Sequence, residues 1–126
     1  MTAASLAGVR LVVVDRSPEF LRSVERFAQS CGAQVVAAHA TFAEALVRLD
    51  ELAPDAILLE WPPGDAEAPM LVRFVRLRAP RPVQVALLLG DERHRSSALE
   101  AGVDAVVEKE QIAERLAPLL AGLAKH

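Results

Sequence analysis

Ala56-Ile57-Leu58-Leu59-Glu60-Trp61-Pro62-Pro63 is the stretch that decides the fold. Its apolar run is too short to span a membrane, and it closes on a carboxylate followed by two prolines. A strand in the middle of a parallel sheet has this composition, because both of its faces are covered and its side chains need not alternate. Open α/β sheets gather their binding sites at the carboxyl ends of the strands. Glu60 stands at such an end and is the first candidate functional residue.

Around this strand the chain repeats one pattern. Val9 to Val14 is apolar and largely β-branched, broken only by Arg10, and Asp15 follows it. Ser17 suits a helix cap and Pro18 a first turn. Phe20, Val24, Phe27, Ala28 and Cys31 then mark one helix face, and Gly32 fits a left-handed stop. Ala33 to Ala38 reads as a strand. Thr41 with Glu44 forms a capping box for a helix running to about Leu52, and Pro54-Asp55 breaks the chain before the central strand. Trp61 to Pro69 reads as a loop, Met70 to Arg78 as a helix and Val83 to Leu89 as a strand closed by Gly90-Asp91. A polar helix from Asp91 to Ala101, a strand from Val103 to Val107 and a helix from about Glu110 complete the order. Pro118 falls inside that last helix and predicts a kink or break. Strand followed by helix, five times over, predicts right-handed crossovers and a parallel sheet covered on both faces.

Composition narrows the function. With 126 residues a single domain, 1–126, is expected, and 52% hydrophobic with 25% charged residues is globular rather than disordered. A net charge of -3 argues against nucleic acid as a partner of this domain. The single cysteine, Cys31, excludes an intrachain disulfide and a thiolate metal cluster and reads as core. His39, His94 and His126 lack metal-ligand spacing. No apolar stretch is long enough for a membrane helix, and residues 1–8 lack the form of a signal peptide, so a cytoplasmic protein is expected. Arg73, Arg76, Arg78 and Arg81 cluster around the third helix; a solvated face is the expectation, with an acidic partner as the other reading.

Charge also stands at three strand ends: Asp15 with Arg16, Glu60, and Lys109. The chain uses twelve arginines and two lysines, the other being Lys125. A lysine at 109 in an arginine-preferring sequence suggests a site that wants a compact, flexible ammonium.

Taken in order, Val12-Val13-Val14-Asp15, Pro54-Asp55-Ala56-Ile57-Leu58-Leu59-Glu60 and the run from Ala98-Leu99-Glu100-Ala101-Gly102 to Lys109 resemble the receiver domains of bacterial two-component response regulators, over nearly the whole chain. The resemblance implies a flavodoxin-like, doubly wound (βα)5 fold with a five-stranded parallel sheet in order 2-1-3-4-5. It also implies a mechanism. An aspartate after the third strand takes a phosphoryl group from a histidine kinase. Two acids after the first strand hold Mg²⁺ with it, while a hydroxyl residue on the fourth strand and a lysine after the fifth bind the phosphoryl oxygens. An aromatic residue on the fifth strand switches rotamer.

Position by position, Asp15 and Lys109 match. Arg16 stands at the second acid, Glu60 at the phosphoacceptor, Leu87 at the hydroxyl residue and Val106 at the aromatic switch. Glu110 replaces the proline after the lysine, which predicts a trans peptide there. Glutamate carries its carboxylate one methylene further out, and errors of about 1 Å in positioning can cost roughly a hundredfold in rate. Arginine adds a fixed positive charge where Mg²⁺ needs oxygen ligands. The expectation is a degenerate, or pseudo-, receiver that is not an enzyme and needs no cofactor. Asp15, Arg16, Glu60 and Lys109 would neutralise one another, with Glu60 reaching toward Lys109. The expected partner is a protein (a histidine kinase, an output domain or another regulator) met through Asp91 to Ala121, with a homodimer left open. The alternative is a functional Mg²⁺-dependent phosphoacceptor, with Asp15 and Glu60 as metal ligands. Flavodoxin and cobalamin carriers are disfavoured, since the loop after the first strand is Arg16-Ser17-Pro18-Glu19 and Ser17 stands where cobalamin needs a histidine.

Overall fold

A computed structural model describes residues 5–64, 66–89 and 92–123. The turn expected at Gly90-Asp91, the first residue of the expected partner face and the terminal Lys125 and His126 lie outside the described residues. Five strands, β1 (Arg10–Val14), β2 (Gln34–His39), β3 (Ala56–Trp61), β4 (Val83–Leu88) and β5 (Ala105–Glu108), form one parallel sheet in the order β2-β1-β3-β4-β5. This is the doubly wound topology that the alternating pattern predicts.

All six residues of β3 are buried, as a strand covered on both faces requires. Alternation along β1, β3 and β4 deals their side chains to two cores. Val12, Val14, Ile57, Leu59, Trp61, Ala86 and Leu88 enter one with α2 (Phe42–Leu46), α3 (Leu49–Leu52), α4 (Ala68–Arg76) and α5 (Glu92–Ala101). Leu11, Val13, Leu58, Val85 and Leu87 enter the other with α1 (Pro18–Ser30) and α6 (Ile112–Leu123). Cys31 is partly buried against this second core. The charged break in β1 has a use: the Arg10 guanidinium donates to the carbonyls of Leu52 at 2.6 Å and Ala53 at 3.3 Å, where α3 ends and carbonyls lack partners.

Three expectations are corrected. The helix from Thr41 to Leu52 is two short ones. Thr41 makes its capping box with Glu44, but the Arg48 N–H bonds three residues back, to Ala45 O at 3.1 Å. This tightened turn at the β-branched Val47 keeps Phe42, Ala45, Leu49 and Leu52 all buried. Trp61 ends β3 rather than opening a loop, because its ring is buried in the first core; α4 begins at Ala68, with Pro69 in its first turn. Finally, the break that Pro118 allowed for is absent: α6 is one helical segment from Ile112 to Leu123. Pro118 and Glu114, whose carbonyl loses its bond, are both exposed, so the lost bond falls on the side of the helix that faces solvent. The cis peptides among the described residues are Trp61–Pro62 and Ala79–Pro80, not Lys109–Glu110.

Candidate functional site

Parallel pairing sets the site. Val14 lies opposite Leu59, so the next residues, Asp15 and Glu60, emerge side by side at the carboxyl edge. Asp15 is fixed by its own backbone, whose N–H donates to His39 O on β2 at 2.9 Å. Its carboxylate is 1% exposed and both oxygens are engaged. Oδ1 accepts the Ser17 N–H at 2.8 Å, and Oδ2 accepts the Lys109 ammonium at 2.7 Å. The first of these turns the chain into α1, where Ser17 caps the helix by accepting the Phe20 N–H at 3.2 Å.

Lys109 leaves β5, three strands from β1 in the sheet, and its ammonium reaches back across the strand ends. It lies 4.1 Å from the centroid of the Phe20 ring, so a cation–π contact from α1 holds it from the side. Glu60 is 3.9 Å away through Oε2. The closer partner of Glu60 is Arg16, which approaches Oε1 with Nε at 2.7 Å and with its backbone N–H at 3.1 Å. The expected reach of Glu60 toward Lys109 exists only as this longer ion pair: Lys109 pairs first with Asp15, and Glu60 with Arg16. The extra methylene carries the Glu60 carboxylate to the backbone N–H and side chain of the residue after Asp15.

Two residues beyond the sequence reading complete this arrangement. Phe20 is one. The other is Gly64, where an added Cβ would collide with Arg16 Cδ and lie 2.7 Å from Nε. The Arg16 stem runs over bare backbone there on its way to Glu60. The glycine after Pro62-Pro63 was a visible signal, but nothing local joins it to position 16. Beside Glu60, a cavity of about 10 Å³ lined by Val14, Thr41, Glu60 and Gly64 is at the lower limit for one water.

The remaining predicted positions are apolar and packed. Leu87 pairs with Glu60 in the sheet, is fully buried, and offers no hydroxyl. Val106 is buried in the first core. The Trp61 indole N–H donates to Ser97 Oγ on α5 at 3.2 Å, tying the site strand to that helix. His39 is also close. Burial, then the Arg48 charge, lower its pKa below the ordinary histidine value against an opposing pull from Glu44, and its buried Nε2 has no hydrogen-bond partner.

The donor set does not fit Mg²⁺. That ion needs oxygens in near-octahedral array and keeps several waters. Here the two carboxylates have three of their four oxygens engaged by Ser17, Lys109 and Arg16. A guanidinium stands where a third carboxylate would be needed. Among the described residues no group of three or more His, Cys, Asp or Glu could hold a metal ion.

No protein-family model matches the sequence, and no curated protein matches it. Solved structures do. The signal receiver domain of NarL from Mycobacterium tuberculosis is 24% identical with a TM-score of 0.76, over 94% of this chain and 98% of that one. The receiver domain of the stress response regulator RcsB from Escherichia coli is 18% identical with a TM-score of 0.79, over 93% of each chain. The RcsB response regulator of Salmonella typhimurium, described for its conformational dynamism in DNA interaction, is 15% identical with a TM-score of 0.80. The match covers 95% of this chain and 61% of that longer one. At these identities the likeness establishes the fold: a flavodoxin-like sheet of the receiver type.

Proposed function

We propose that the chain is a receiver-like signalling domain of a two-component system, acting in the cytoplasm through protein contacts and without phosphorylation at Glu60. The observation that carries this reading is the Glu60 carboxylate held by the Arg16 side chain and backbone. Phosphoryl transfer needs a free, in-line nucleophile and a cation to neutralise charge on the phosphoryl oxygens. Here the carboxylate is already neutralised, and the cation is tethered to it. On this reading the domain needs no metal and no cofactor, is no enzyme, and leaves nucleic acid to other parts of its system. A histidine kinase, an output domain or another regulator meets the face built from α5, β5 and α6, where a second copy could also pair.

A working Mg²⁺-dependent phosphoacceptor is the second reading, and it rests on residue identity: Asp15 and Lys109 stand where a receiver carries its first acid and its lysine, although their ion pair occupies an oxygen the metal would need. Incubation with acetyl phosphate and Mg²⁺, followed by intact mass measurement, separates the two. The unmodified mass is expected. A phosphoryl adduct that vanishes in Glu60→Ala would establish the second reading.

A further inference from the structure

A surface helix with one apolar stripe buries it and turns polar residues to water. The α4 helix departs from this. Ala68, Val72 and Val75 are buried, yet Met70, Phe74 and Leu77 are 64%, 54% and 85% exposed. They recur at i, i+4 and i+7, the seam spacing of helix–helix contact. Among the described residues, half of the six exposed large apolar side chains thus belong to one short helix and its cap, whereas the face formed by α5, β5 and α6 shows only Leu99.

One flank of the stripe is basic. Arg73 and Arg76 lie on α4, whose residues 68–76 include no acid; the exposed Glu67 at the N-cap stands at the far end, beyond Met70. Arg76 donates to Gly102 O at 2.6 Å, Arg78 pairs with Asp50 and Arg81 with Asp104. Among the described residues Arg73 forms no hydrogen bond or ion pair and is exposed. The arginine face expected to be solvated stays largely exposed, but Arg76, Arg78 and Arg81 also bond within the chain, which leaves one guanidinium free beside an uncovered apolar row.

We infer that α4 docks a partner protein through an acidic amphipathic helix, whose apolar residues lie along Met70, Phe74 and Leu77 while a carboxylate meets Arg73. The charge pattern selects this occupant. A second copy facing itself about a two-fold axis would bring two free arginines to one small patch, and like charges across an interface are repulsive. Area points the same way: three side chains offer a few hundred Å², short of the roughly 800 Å² per partner of a stable globular interface but suited to one helix. The inference stands on the α4 surface and is independent of the chemistry at Glu60.

The test uses the whole chain and two synthetic helices with the same leucine positions at i, i+4 and i+7, one flanked by glutamate and the other by lysine. In NMR titrations the acidic helix is expected to bind about tenfold more tightly, with amide shifts centred on residues 68–77. Phe74→Asp, at an exposed position, should abolish binding, and Arg73→Glu should reverse the preference. Equal binding of both helices, binding of neither, or shifts centred elsewhere would overturn the inference. So would dimerisation in sedimentation that Phe74→Asp abolishes, which assigns the stripe to a second copy. Binding to phosphatidylglycerol vesicles without discrimination between the helices would assign it to a membrane surface.

Discussion

Arg16 spends its charge on one carboxylate through a bond with direction, where a metal ion would gather several. It is 60% exposed, while its partner Glu60 is 11% exposed, so half of the pair is in water and its net contribution to stability is about 0–1 kcal/mol. Its role is positional, and Gly64 controls it. Gly64→Ala would force the Arg16 stem away from the loop backbone. The expected result is a shift of the Arg16 Nε–Hε resonance toward that of a free arginine, with stability changed by less than about 1 kcal/mol; an unmoved resonance would show that the stem has another path. A second prediction concerns His39, whose pKa is lowered in the fold chiefly by burial. Protons then bind the unfolded chain more readily, so the histidine's contribution to stability is intact above its unfolded value of about 6.5 and is lost as pH falls from there through the lower folded value. Urea midpoints at pH 7.5 and 5.5 should therefore differ more in the native chain than in His39→Gln, and equal differences would remove His39 as the cause.

The elements show which parts of the fold were legible. The five strands could be read because each is a short apolar block with a polar or proline boundary, and the ends of β3 and β4 fell within a residue or so of expectation. Where reading failed, a long-range term had won. Trp61 sits in β3 because its ring is buried in the first core and its N–H reaches Ser97 on α5, which no local pattern reveals. The α2–α3 junction yields because four buried side chains outweigh one helical hydrogen bond. Of the site, Asp15, Glu60 and Lys109 were visible from strand ends alone, but their pairing depends on where Phe20 and Gly64 place side chains. Helix ends also offer a test. Ala53 closes α3 in the left-handed region, at φ 43° and ψ 58°, a conformation that costs residues with a Cβ roughly 1–2 kcal/mol. Ala53→Gly relieves this while adding freedom to the unfolded chain, so a net stabilisation of about 0.5–1 kcal/mol is expected by urea denaturation. At the start of α2, Thr41→Ala removes one half of the capping box and should destabilise by about 1 kcal/mol.

For the molecule as a whole, the question is whether the strand-end site can command the distant helices. Signalling by a receiver of the usual kind needs two states of similar energy, and a ligand can shift that balance only by binding one state better. On the proposed reading the site offers a ligand little differential affinity. Asp15 and Glu60 face Arg16 and Lys109, two charges of each sign, so no cation is needed to relieve repulsion. The residues along the path outward fit the same reading. Leu87, beside Glu60, is fully buried and carries no hydroxyl to follow a bound phosphoryl group. Val106 lies packed in the first core, and a small β-branched side chain has few rotamers between which to switch. Trp61 ties the site strand to α5 through its hydrogen bond to Ser97. Addition of beryllofluoride with Mg²⁺ should therefore leave the amide resonances of residues 92–106 unmoved. The double change Arg16→Asp, Glu60→Asp restores the carboxylate pattern and should recover Mg²⁺ binding in titration calorimetry, while those resonances still fail to respond because Leu87 and Val106 are unchanged. Large shifts in the native chain would show a second state within reach. Mg²⁺ binding by the native chain that disappears in Glu60→Ala would show that Arg16 leaves the metal site open.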